Sequence, residues 1–160
     1  MPPFEIAPGI TGFSHVSAPP LPETDPSDRR RAAHAAARAL GGQVAEELEP
    51  PMASYAAFRI ERRERGGSIG LALHRAHRLA ARIAWTPERP IAGDLLLAFE
   101  EPEPALSAAL DATLWTLPPR AALEATPDPA ALAALPAWER AQIAHWRPET
   151  LGALIFNRWD

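Results

Sequence analysis

The spacing of hydrophobic residues changes along this chain, and the changes divide it into segments. Over residues 54–62, Ala56, Phe58 and Ile60 alternate with Tyr55, Ala57, Arg59 and Glu61. A period of two places successive side chains on opposite faces, so the stretch predicts a β-strand, with Gly66-Gly67 as the turn that follows. Ile69, Leu71 and Leu73 keep that period, and so do Leu79, Ala81, Ile83 and Trp85, with 74–78 as the loop between them. The same residues also satisfy a helical spacing. Ile69, Leu73, Ala76, Ala80 and Ile83 would then form one face and Arg75, Arg78 and Arg82 another, with Ser68 as the cap. Strands are preferred because period two captures more of the bulky side chains. Leu95–Phe99, after the Pro87–Pro90 turn, reads as a final buried strand.

Helical patterns flank this centre. Asp25, Pro26 and Asp28 form a helix start, and a helix is expected from Pro26 to Leu40, ended by Gly41-Gly42. Gln43–Glu49 is expected to add only a short turn before Pro50-Pro51. Pro104 opens a helix through Leu114, and Asp128-Pro129 caps another. Pro136 interrupts that helix before 138–146, and Pro148-Glu149 opens the last, with Leu151, Leu154 and Ile155 facing inward. Residues 1–26 carry seven prolines, a density that excludes helix, yet Phe4, Ile6, Ile10, Phe13 and Val16 are interspersed. This predicts an extended arm with strand character near Phe4–Ile6, becoming a linker from Ala18 to Pro26. The expected fold class is α+β: an antiparallel meander of three to four strands packed with about four helices behind the Pro-rich arm. A mostly α fold is the alternative if 68–85 is helical. The domain reading is arm and linker over 1–26 and one α+β domain over 27–160.

Composition removes several chemistries. The 160 residues include no cysteine and no lysine; all 16 basic residues are arginine. Thiol nucleophiles, Cys-ligated metals, Schiff-base lysines and P-loop lysines are therefore excluded. Thirty-four alanines make a thin core that needs its leucines, isoleucines, phenylalanines and tryptophans as anchors. The Ala, Arg and Pro bias without lysine reads as the GC-rich coding of a bacterium. No 18-residue apolar run and no signal-peptide pattern occur, so a cytoplasmic location and no membrane partner are expected.

Charge changes the picture more. The net charge is −4, but residues 29–89 carry a local +6 and the remainder −10. Arg59, Arg62, Arg63 and Arg65, followed by Arg75, Arg78 and Arg82, are expected to line one face of the meander, where guanidinium forks can hold carboxylate or phosphate. Three of the five tryptophans, Trp138, Trp146 and Trp159, fall near the C-terminus, where Trp146, Arg158 and Trp159 either clamp the core or meet a partner.

Candidate chemistry is sparse. His74 and His77 form an H-x-x-H pair that chelates only on a helix, since strand geometry would turn the rings apart; Arg75 and Arg78 beside them disfavour a cation. Gly66-Gly67-Ser68-Ile69-Gly70 lacks phosphate-loop spacing and is explained by a hairpin turn. No catalytic residue, cofactor or metal is assigned. The leading expectation is a small non-catalytic protein that binds another protein or a second copy of itself, as an adaptor, an immunity or inhibitor protein, or a subunit of a larger assembly. Its binding residues would be Arg59, Arg62, Arg63, Arg75, Arg78, Arg82, Trp146, Arg158 and Trp159. The alternatives are a nucleic-acid-associated subunit using the Arg59–Arg82 face and an enzyme with a site near His74 and His77.

Overall fold

The computed structural model describes residues 4–64, 66–85 and 97–159. Helix α1 spans Pro26–Ala39, and the Asp25 carboxylate accepts the Ser27 N–H at 2.8 Å, satisfying one donor of its free N-terminus. The helix stops at a left-handed Gly41 (φ +67°), and the chain turns back as a strand. Strands β1 (Gly42–Leu48), β2 (Tyr55–Arg62), β3 (Ser68–His74) and β4 (Ala80–Ile83) form one antiparallel sheet in that order. Gly66 and Gly67, at φ +58° and +78°, supply the left-handed turn between β2 and β3. The fold is α+β, and the 68–85 stretch is a strand pair.

Period two is only half the reason for that outcome. Ala56, Phe58 and Ile60 of β2 share a face with Ile69, Leu71, Leu73 and Ala80. Tyr55, Ala57, Ala72, Ala81 and Ile83 occupy the opposite face, and it is buried too. A sheet covered on both sides buries nearly all of its central strands away from the β2–β3 turn, which a one-sided helix would not do.

The two faces carry separate core clusters. The first is covered by α1, whose Ala32, Ala33, Ala36 and Ala37 are each at most 1% exposed, and by α2 (Pro104–Ala112) through Leu106 and Leu110. Alanine's short side chain lets the α1 backbone approach the sheet, so the large residues come from the strands. The second is covered by Ile10, Leu123, Leu135 and the C-terminal Leu151, Leu154, Ile155 and Phe156. These come from the N-terminal segment, α3 (Arg120–Glu124), the turn after α4 (Pro129–Ala133), and α6 (Leu151–Ile155) with its C-cap Phe156. Helix α5 (Ala137–Trp146) packs beside them. At Gly152 of α6 a Cβ would lie 2.3 Å from the Phe99 ring, so only glycine allows this approach.

Several expectations are corrected. Gln43–Glu49 is not a short turn but most of β1: it pairs with β2 from Gly42↔Arg62 to Leu48↔Ala57. Its pattern is faint because only two of its seven residues, Val44 and Leu48, are large and apolar, although burial does alternate along it. A bulge between Val44 and Glu46 puts Val44 on the first face and Leu48 on the second. No strand forms over Phe4–Ile6; turns follow at 8–12, where Gly9 and Gly12 have positive φ. Leu95 and Leu96 of the expected final strand lie outside the described residues, and Phe99 makes a single antiparallel bridge to Ile83. The pattern around Pro136 is two separate helices, α4 and α5. The short α3 carries no clear signal in the sequence, because Pro118-Pro119 reads as a break while Pro119 serves as its N-cap. Among the described residues no helix is long and apolar enough to cross a membrane.

Candidate functional site

Residues 8–24 lie against the second face, and buried polar groups fix them there. His74 ends β3, fully buried; its Nδ1 accepts the Ala76 and His77 N–H groups at 3.1 Å each. That leaves the proton on Nε2, which donates to the Ile10 carbonyl at 2.9 Å. Burial, with His77 adding to it, pushes the His74 pKa down to about 3, so the ring is neutral. His77 places its Nε2 2.9 Å from the Pro8 carbonyl. The pair does not diverge as strand geometry predicts: His77 lies in the loop after β3, and the two rings sit 5.7 Å apart. Both face carbonyls of the N-terminal segment, and among the described residues no group of three His, Cys, Asp or Glu side chains is placed to hold a metal ion.

Glu139 completes the attachment from α5. Its Oε1 accepts the Gly9 N–H at 2.8 Å and the Thr11 hydroxyl at 3.0 Å, while Oε2 is buried without a partner. Burial raises its pKa, and the hydrogen bonds from Thr11 and Gly9 oppose the rise only in part. Asn157 donates from Nδ2 to the Thr11 and Leu154 carbonyls, both at 2.8 Å. The Ser54 hydroxyl donates to the Ile155 carbonyl at 2.6 Å and accepts the Asn157 N–H at 2.9 Å. At Thr24 the segment is tied again, to the His74 and Arg75 carbonyls. Ser54 is thus spent on backbone groups, and both ring nitrogens of the buried, neutral His74 are engaged by backbone groups as well, so the two do not form a nucleophile–base pair.

Between this segment and the start of β2 opens a cleft of about 640 Å³. Phe13, Leu21, Met52 and Trp159 supply apolar lining, and Arg75 and Glu23 supply opposite charges. Met52 is held at φ +62°, a region costly for a residue with a Cβ, and is 62% exposed. The Arg75 backbone is anchored to Ser54 and Thr24, while its guanidinium makes no ion pair or hydrogen bond with a described residue.

The predicted binding residues are dispersed. Arg59 lies on the second face, bonded to Glu46 and Glu61; Arg62 and Arg82 lie on the first. They do not line one face, because alternation along β2 separates 59 from 62. Arg82 pairs with Glu100 at 2.6 Å and Glu103 at 3.3 Å, and Arg62 reaches Glu103 at 3.6 Å. Burial pulls the Glu103 carboxyl upward, but the Arg82 hydrogen bond and the two guanidinium charges outweigh it and hold it below its ordinary value. Arg78 pairs with Asp28 at 2.9 Å and lies over the Trp115 ring. Arg63 is exposed beside α1, and Arg65 lies outside the described residues. Trp146 and Trp159 stack at 6.3 Å with their planes 6° apart; Trp159 is 6% exposed and also lines the cleft. Arg158 bridges to Ala53, joining the C-terminal end to the turn that leads into β2.

Sequence reasoning missed Thr11, Met52, Glu139 and Asn157. Glu139 looks like an ordinary first-turn helix acid. The one local signal is the pair Gly9 and Gly12 flanking Ile10-Thr11, which marks a sharp turn rather than an extended arm. Compared with known proteins, the chain matches no family model, no curated protein and no solved structure.

Proposed function

We propose that this chain is a non-catalytic binding protein that takes an acidic, partly apolar segment of another protein into the cleft between residues 11–23 and the start of β2. The observation that carries this reading is the Arg75 guanidinium, without a side-chain partner among the described residues, on a cleft whose apolar lining is Phe13, Leu21, Met52 and Trp159 and whose one acid is Glu23. Its volume lies within the range of about 300–1,000 Å³ typical of ligand sites. An apolar wall beside a guanidinium suits a side chain flanked by a carboxylate, which arginine grips bidentately. An exposed methionine adapts its shape to what it contacts. The nucleic-acid alternative has less support, since Arg59, Arg78 and Arg82 are already paired with acids of this chain.

A displayed library of linear peptides tests the reading. Enriched sequences should carry an acid beside an aliphatic or aromatic residue. Arg75→Ala should weaken the best of them about tenfold, the worth of one charged hydrogen bond. Enriched peptides that bind Arg75→Ala and Met52→Ala as well as the parent would refute the cleft. Light scattering separates a second copy from a foreign partner: self-association abolished by Arg75→Glu would make the occupant another copy of this chain.

A further inference from the structure

A second cavity, of about 480 Å³, opens at the other end of α1, lined by Arg38, Leu40, Gly41, Gly42, Arg62, Arg63 and Glu64. Its construction follows from the sheet register. Because Gly42 pairs with Arg62, the α1–β1 turn lies against the end of β2, and the Arg63 N–H donates to the Gly41 carbonyl at 3.2 Å. A Cβ at Gly42 would lie 2.1 Å from the Glu61 carbonyl oxygen, so only glycine permits this contact. Three arginines, from the last α1 turn, the end of β2 and the residue after it, thereby line one pocket.

Their partners set this pocket apart from the other basic residues. Seven of the arginines between 29 and 82 are paired with acids: Arg29, Arg30, Arg31, Arg59, Arg62, Arg78 and Arg82. Arg38, Arg63 and Arg75 have no side-chain partner among the described residues, and Arg38 and Arg63 share this pocket. The third lining arginine, Arg62, is only weakly satisfied: its ion pair to Glu103 is 3.6 Å long, and its Nε is buried with no hydrogen-bond partner. Like charges gathered in one concavity raise each other's energy, and a bound anion relieves that. Glu64 is the single acid on the lining.

We propose that the Arg38–Arg62–Arg63 pocket binds a small anion bearing a phosphate group, independently of the peptide cleft. Guanidinium forks match the tetrahedral oxyanion, and the lining offers several N–H donors at once. No aromatic ring lines the pocket, so nothing there would stack a nucleobase; the recognised part is the phosphate itself.

Titration calorimetry at constant ionic strength tests this, with inorganic phosphate and glycerol phosphate as probes and chloride as the reference anion. One site per chain is expected. Arg38→Ala and Arg63→Ala, both at exposed side chains, should each weaken binding about tenfold, while Arg75→Ala leaves it unchanged. Arg62→Lys keeps the charge, loses the fork and should also weaken binding. Equal affinity for the two probes makes free phosphate the ligand; tenfold preference for the ester means an organic group fills the rest of the pocket. Binding no tighter than chloride, or binding that survives in an Arg38→Ala/Arg63→Ala double variant with unchanged circular dichroism, overturns the proposal.

Discussion

Ile10→Ala is the sharpest test of how the N-terminal segment belongs to the fold. Ile10 is 0% exposed in the second core cluster, although it lies in a Pro-rich stretch without helix or strand. Truncation to alanine removes three methyl or methylene groups, about 0.8 kcal/mol each by transfer. A cavity term adds to that wherever the surroundings cannot collapse. Here they cannot: the Ile10 carbonyl is held by His74, and Gly9 and Thr11 on either side are held by Glu139. The expected loss is therefore about 3–4 kcal/mol, inside the range of about 2–5 for such substitutions. For a chain of this length that lowers Tm by roughly 6–16 °C. Urea unfolding followed by tryptophan fluorescence measures it, with Val16→Ala, at a fully exposed side chain, as the neutral control. A loss below about 1 kcal/mol, or a separate early transition for the segment, would show that residues 8–24 merely lie on the domain.

Two predictions concern pH. His74 has a depressed folded pKa of about 3, so between about 6.5 and 3 the unfolded chain takes up a proton that the native chain refuses; stability should fall as pH falls through that window, and His74→Phe should remove this slope. Glu139 is the opposite case: its folded pKa is raised, so it binds its proton more tightly when native, and its contribution to stability is lost as pH rises above about 4.5. Glu139→Gln should remove that dependence and hold stability at pH 7 at or above the parent's; a clear loss at pH 7 would refute the reading of Oε2 as an orphaned charge. Gly67→Ala, at φ +78° in the β2–β3 turn, should cost about 1 kcal/mol in the same urea assay, and a neutral result would sink the turn argument.

How far the fold could be read from the chain differs by segment, for local reasons. α1 was legible because its start and stop are written in adjacent residues: Asp25 caps it, Pro26 opens it and Gly41 ends it. β2, β3 and β4 were legible because Phe58 and Ile60, then Ile69, Leu71 and Leu73, then Ala81 and Ile83 keep a strict period of two. β1 was not, because only Val44 and Leu48 among its seven residues are large and apolar, too few to establish a period. The N-terminal segment showed its apolar residues but not their destination, since a chain stretch without regular structure has no period to betray which side is buried.

The site follows the same division. The amino-acid sequence by itself determined which chemistries are absent, the excess of arginine over acid in residues 29–89, and the strand and helix periods. Tertiary structure alone decided which arginines are free. Arg59, Arg78 and Arg82 meet Glu46, Asp28 and Glu100, while Arg38, Arg63 and Arg75 meet no acid among the described residues. Ion pairing depends on distances of a few ångströms between residues as far apart as Arg78 and Asp28, and a charge count along the chain does not contain those distances.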